Sequence, residues 1–187
     1  KDVMESMNLS YPTTKKKLNQ VLEHLGYNTS SSNPDIVEVI VETLPIYKDE
    51  SIFVKSIKKK LNASKGRAKI PLTNQNTFSI YYEEFENGIY ATNLPKGNLL
   101  SWKAFDCVLT LLKESGGRAS KGNAMKAKLG DKGLTLDTVE GYVAHHAYNV
   151  ALGDSVLRRI SAISSILEWC GVCKNGYGYL ELIDLTE

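Results

Sequence analysis

Apolar residues recur at helical spacing through the first part of the chain. Between residues 13 and 26 they follow three- and four-residue steps, and Gly26 offers a C-terminal stop, which is typical of an amphipathic helix. A second apolar run covers residues 36–44, and its β-branched content would also suit a strand. Asn33 as a cap and Pro34 at the first helical position favour a helix instead. The pattern therefore predicts two helices in this part of the chain.

A third helical pattern covers residues 50–63 and is basic on its polar side. Ile57 and Leu61 share an apolar face, while the lysines of this stretch lie largely away from it. We expect the residues that follow, 64–67, to form a flexible basic element.

Two aromatic and β-branched runs come next, at residues 77–82 and 88–92. They flank Asn87-Gly88, and Asn-Gly between two such runs is a strong hairpin signal. Residues 94–98 then break the pattern and are predicted to be a linker. Three helices followed by a hairpin is the order of a winged helix.

The second half repeats this order. Ser101 is expected to cap an apolar helix that ends at Gly116 and Gly117. A last hairpin is predicted around Asn175-Gly176. Further helices are predicted over residues 124–129, 136–151 and 154–169, the last capped by Asp154.

These elements predict an α+β protein that is mainly helical, with short β-hairpins and tandem winged-helix or helix-turn-helix-like domains. The first domain would cover residues 1–97 and the second residues 98–187, with the break in the linker at 94–98. Each half is long enough to bury a modest core.

The helix and hairpin near the C-terminus resemble those of a known family. Residues 160–172 followed by 177–182 are similar to the recognition helix and wing of winged-helix DNA-binding domains, and the resemblance covers about residues 101–184. It implies a fold and a DNA ligand. Such modules serve transcriptional regulators and the target-recognition parts of restriction enzymes, and both remain open. Residues 130–153 depart from the family pattern, because a compact winged helix needs a shorter segment.

The amino-acid composition adds little to the predicted fold and partner. The chain has 187 residues, of which 42% are hydrophobic and 24% charged, as in ordinary globular proteins. No apolar run approaches the ~18 residues of a membrane span, and no secretion signal is evident, so we expect a cytoplasmic protein that does not bind membranes. Three cysteines argue against a disulfide framework. A start at Lys1 suggests a piece of a longer protein.

The distribution of charge is more informative than the net charge of +2. Residues 51–82 contain seven basic residues and no acidic residue. Such a run is often only a solvated face, but this one lies on a third helix and continues past it, which favours nucleic acid. A second, weaker basic patch covers residues 113–132.

We therefore predict double-stranded DNA as the partner. The expected binding residues are Lys55, Lys58, Lys59, Lys65, Arg67, Lys69, Arg118, Lys121, Lys126, Arg158, Arg159 and Ser161. Base edges would be reached by Arg158, Arg159 and Ser161 from an exposed helix face that also includes Ala162 and Ser165. Phosphates would be contacted by Lys58, Lys59, Lys65, Arg67, Lys121 and Lys126.

The sequence contains no recognisable catalytic arrangement, so we expect no enzymatic activity, no cofactor and no metal. Cys170 and Cys173 with His145 and His146 would make a zinc set, but an isolated CxxC is weak, and core packing is the preferred interpretation. The alternative function is a protein-interaction or assembly module, including a homodimer. It would use the aromatic hairpin 77–92 through Tyr81, Tyr82, Phe85 and Tyr90.

Overall fold

Helices and short antiparallel strands alternate in the computed structural model, which describes residues 44–72, 75–82 and 87–183. The helices of these residues are α1 (Ile52–Ala63), α2 (Trp102–Glu114), α3 (Val139–Tyr148) and α4 (Ile160–Cys170). Their strands are β1 (Arg67–Pro71), β2 (Thr77–Tyr81), β3 (Gly88–Ala91), β4 (Leu99–Ser101), β5 (Arg118–Ser120), β6 (Cys173–Asn175) and β7 (Tyr179–Leu182). The predicted helices at 13–26 and 36–44 lie outside the described residues, except for Leu44.

Hydroxyl side chains begin three of the helices. The Oγ of Ser51 accepts the N–H of Val54 at the start of α1, and Ser101 does the same for Ala104 at the start of α2, as predicted for Ser101. Thr138 begins α3 in the same way. The helices predicted over 50–63, from Ser101 to Gly116 and over 136–151 are confirmed, with ends shorter by a few residues.

The prediction for the last helix is wrong at its start. Residues 155–159 are irregular, and α4 begins after Arg159 rather than at Asp154. The short helix predicted over 124–129 is also wrong, because residues 124–126 form a turn. Side chains that favour a helix occur in both places. However, the N–H groups of Ala124 and Arg159 donate to the carboxylate of Glu140, and these hydrogen bonds hold the backbone in a non-helical conformation.

Two small antiparallel sheets accompany the helices. The first has the order β1-β2-β3-β4, and the second has the order β5-β7-β6. The pairing of Ile80 with Ala91 in β2 and β3 confirms that the two runs flanking Asn87-Gly88 form a hairpin. Gly88 itself belongs to β3 and pairs with Ser101 of β4. The hairpin at Asn175-Gly176 is confirmed by the pairing of Asn175 with Leu180 in β6 and β7. The coarse prediction of an α+β fold is therefore confirmed.

Three strands have no counterpart in the prediction. Residues from Arg67 onward form β1 rather than a flexible element, and their exposed and buried positions alternate along the strand. Residues 94–98 connect β3 to β4, which pair with each other. Strand β5 is too short to produce a clear sequence pattern.

One buried core contains residues from both halves of the described chain. Phe53 and Ile57 of α1 belong to it together with Phe105 of α2 and Ile163 of α4. All described residues fall in one contact unit, Val41–Glu187. The division at residues 97 and 98 stays a prediction for the whole chain, but within the described residues this point lies inside one sheet and one core. No helix of the described residues has the length and apolar character needed to cross a bilayer.

Candidate functional site

Helix α4 is buried on nearly all of its circumference. Ala162 and Ile163 are at most 1% exposed, and Ser164 and Ser165 are 3% exposed. The helix packs against α1, β1 and β6. The expectation that Ala162 and Ser165 lie on an exposed recognition face is therefore wrong, because neighbouring elements cover that face.

A buried carboxylate holds the first turn of α4. The Oε1 of Glu140 accepts the N–H of Arg159 at 2.7 Å and that of Ile160 at 3.2 Å, and its Oε2 accepts the N–H of Ala124 at 3.2 Å. Burial raises the pKa of Glu140, and these three hydrogen bonds act in the opposite direction. Glu140 thus replaces the missing cap of α4 and joins it to the loop after β5.

Sequence reasoning missed Glu140. The available signal is its apolar setting, since Val139 and Val143 flank it on a helix that also contains Ala144. A carboxylate placed among such neighbours is seldom buried without hydrogen-bond partners.

A cleft of about 750 Å³ opens beside the N-terminal half of α4. We call it the α4 cleft. It is lined by Leu72, Ser120, Lys121, Gly122, Asn123, Met125, Gly133, Arg158, Ile160, Ser161, Ser164, Ser165, Asn175, Tyr177 and Gly178. Among these described lining residues there are two cations and no acid. The cleft therefore has a positive, hydroxyl-rich wall that suits an anionic ligand.

Lys121 supplies one charge of the α4 cleft. Its Nζ donates to the Oδ1 of Asn175 and, at 2.7 Å, to the carbonyl oxygen of Gly176. Burial lowers the pKa of Lys121, and the nearby Glu168 raises it. Because both acceptors are neutral, neither hydrogen bond cancels the charge of the ammonium.

The two adjacent arginines have different environments. Arg158 is exposed, and its Nη1 lies 2.8 Å from the sulfur of Met125 at the cleft. Arg159 is half-buried, with its guanidinium 3.7 Å from the ring centroid of Tyr148. Its Nε is buried and has no hydrogen-bond partner among the described residues. Of the predicted base-reading residues, the structure therefore places Arg158 and Ser161 in the cleft and Arg159 away from it.

The basic residues of α1 and β1 also differ in their exposure to solvent. Lys58 is 3% exposed; its Nζ pairs with Glu50 and donates to the carbonyl oxygen of Pro45 at 2.8 Å. We therefore withdraw Lys58 as a phosphate contact. Lys55 donates to the carbonyl oxygen of Lys48 at 2.7 Å.

Four other predicted residues of this segment are exposed. They are Lys59, Lys65, Arg67 and Lys69. Arg67 and Lys69 lie on the exposed side of β1, and the chain reaches the α4 cleft at Leu72, directly after that strand. Leu72 packs against the core, as Ala68 and Ile70 do, whereas Arg67 and Lys69 lie on the opposite side of the strand.

Two further predicted residues lie near the other end of the cleft. Arg118 is exposed on β5, with its guanidinium 3.6 Å from the ring centroid of Tyr179. Lys126 is exposed in the turn beside Met125. Both increase the positive charge around the cleft.

The cysteines behave as packing residues. Burial raises the pKa values of Cys170 and Cys173 to about 12, so both thiols stay protonated at neutral pH in the metal-free protein. The Nδ1 of His145 lies 3.0 Å from the carbonyl oxygen of Val150. The described residues contain no group of three or more His, Cys, Asp or Glu side chains arranged to hold a metal ion.

The aromatic hairpin has most of its described rings engaged within the protein. Tyr81 and Tyr90 stack with their ring centroids 5.4 Å apart, and Arg67 lies 4.9 Å from the Tyr81 centroid. Tyr82 packs against the core, while Phe85 lies outside the described residues. This arrangement does not favour the hairpin as a docking surface.

Comparison of the chain with protein-family models, curated proteins and solved structures finds no match.

Proposed function

We propose that this protein binds double-stranded DNA and that residues 98–183 form a winged-helix domain. The observation that carries the DNA proposal is the α4 cleft, where Lys121 and Arg158 converge without an acidic lining residue among the described residues. Phosphate contacts supply much of the affinity of DNA-binding proteins, and they require this type of surface.

The element order supports the winged-helix proposal. Helices α2, α3 and α4 with β5, β6 and β7 follow the order helix, strand, helix, helix, strand, strand, and β7 lies between β5 and β6. In this arrangement α4 has the position of the recognition helix. A tandem arrangement, a cytoplasmic location and the lack of enzymatic activity stay predictions.

The burial of α4 changes the proposed mode of binding. A helix covered by α1 and β1 cannot lie in a major groove, so the DNA would contact the surface around its N-terminus instead. Arg158, Lys121, Arg118 and Lys126 would meet phosphates on the cleft side. Lys59, Lys65, Arg67 and Lys69 would extend this contact along α1 and β1.

Salt dependence tests the proposal. Binding of a labelled duplex, measured by fluorescence anisotropy at several salt concentrations, should give a log–log slope of about −0.9 for each phosphate contact. Replacing Lys59 and Lys69 together by Ala should flatten this slope by up to about 1.8. Replacing Lys96 and Lys103, which are equally exposed and outside both basic regions, should leave it unchanged.

A duplex affinity that does not vary with salt would overturn the proposed function. An equal slope change in the two double variants would show that only net charge matters, and it would remove α1 and β1 from the interface.

A further inference from the structure

The α4 cleft is too small for the ligand that the whole surface is proposed to bind. Pockets of ~300–1,000 Å³ typically hold small ligands, and the cleft has about 750 Å³. The two strands of a duplex are separated by about 12 Å across the major groove alone, so both strands cannot enter such a space together. One or two nucleotides of an unpaired strand can enter it.

The cleft has groups that would hold the phosphate of such a nucleotide. The Nζ of Lys121 donates to two neutral acceptors, and the Nη1 of Arg158 lies against the weakly accepting sulfur of Met125. Ser161 adds a half-buried hydroxyl at the start of α4. Two cations of different geometry therefore converge on one space.

A stacking surface for the base lies at the edge of the same cleft. Tyr177, in the turn between β6 and β7, is fully exposed and lines the cleft. It also lines a shallow hollow next to it with Arg118 and Tyr179. Exposed aromatic rings in positive grooves are the usual platforms for unpaired bases.

The turn that carries Tyr177 is held against the protein. Lys121 donates to the carbonyl oxygen of Gly176, and the N–H of Lys121 donates to the carbonyl oxygen of Gly178 at 2.9 Å. A Cβ on Gly176 would lie 2.1 Å from the ring of Tyr179, so glycine lets the turn lie close to that ring. The ring of Tyr177 is therefore exposed on a backbone that is fixed on both sides.

We infer that the α4 cleft takes one or two unpaired nucleotides, so that the preferred ligand is DNA with a single-stranded segment beside a duplex. This inference rests on the proposed function. The phosphate would contact Lys121 and Arg158, and the base would stack on Tyr177.

The test compares a blunt duplex with the same duplex carrying a short thymidine overhang at its 5′ or 3′ end, by fluorescence anisotropy at fixed salt. The protein should bind one overhang about tenfold more tightly than the blunt duplex, since a single base–aromatic stack is enough to supply the corresponding ~1.4 kcal/mol. Tyr177→Ala should reduce this ratio to about one. Tyr177→Phe, which keeps the ring, should retain the preference. Tyr47→Ala, which removes an exposed tyrosine elsewhere, should retain it as well.

The ratio of the affinities for overhanging and blunt DNA is measured on one variant at a time. A loss of folded protein lowers both affinities and leaves their ratio unchanged, so each variant is its own folding control. Equal affinity for blunt and overhanging DNA would overturn the inference and leave the proposed function standing if binding to both depends on salt. A tenfold preference that persists in Tyr177→Ala would also overturn it. Absence of salt-dependent binding to every oligonucleotide would overturn the proposed function and the inference together.

Discussion

The two basic regions of this protein are built in opposite ways. In the segment from Lys55 to Lys69, seven basic residues are close in sequence, yet the structure buries Lys58 and uses Lys55 to bond a neighbouring loop. In the α4 cleft, Lys121 and Arg158 are far apart in sequence and converge on one space. Only part of a dense run of charge therefore becomes basic surface, whereas the fold can bring distant cations to one space.

The supports of the two regions differ as well. The cleft depends on Glu140, whose carboxylate orders two loops. The α1 segment depends on Lys58, which ties the start of the helix to Glu50 and Pro45. Substitutions that remove either a buried support or an exposed charge can test this comparison.

Glu140→Ala should cause the largest loss of stability. It leaves the N–H groups of Arg159, Ile160 and Ala124 without their acceptor, and each unsatisfied buried group costs ~1–3 kcal/mol. We expect a loss of about 3 kcal/mol or more in the free energy of unfolding, measured by urea denaturation. Glu140→Gln keeps one acceptor oxygen and should lose about 1 kcal/mol. Equal losses in the two variants would contradict this prediction, because glutamine has the same shape as glutamate and keeps one acceptor oxygen for the N–H groups of α4.

Lys58 and Lys59 provide the next test, because they are adjacent and have opposite environments. Lys58→Met should lower the free energy of unfolding by about 2 kcal/mol, since Glu50 and the Pro45 carbonyl lose their partner. Lys59→Met should change it by less than about 0.5 kcal/mol, because this side chain is exposed. Thermal and urea unfolding of both variants measures the difference. Similar losses in the free energy of unfolding would contradict the conclusion that Lys58 stabilises the fold while Lys59 is only an exposed charge.

Arg158 and Arg159 give the smallest expected change in stability. Arg159→Ala removes the stack on Tyr148 and should cost about 1 kcal/mol, whereas Arg158→Ala should stay within about 0.5 kcal/mol of the parent protein. In duplex binding the order should reverse, with a clear loss for Arg158→Ala only. Equal losses of DNA affinity in two folded variants would bring Arg159 back into the interface.

Local sequence signals determined much of this fold. The spacing of apolar residues predicted α1, Ser101 and the terminal glycines predicted α2, and Asn-Gly predicted both hairpins. Each of these signals acts over a few neighbouring residues. The exposure of Lys59, Lys69 and Arg158 also agrees with their charge.

Only the tertiary structure decided which parts of these elements remain accessible. The periodicity of α4 indicates one apolar face, but its small Ala162, Ser164 and Ser165 allow other elements to approach, so the face predicted to read DNA is covered. Glu140 stops α4 from extending back to Asp154, because its carboxylate takes the N–H groups of Arg159 and Ile160. The α4 cleft likewise combines segments around residues 72, 121, 158 and 177. Such contacts depend on how the elements pack against one another, and the spacing of residues along the chain does not predict them.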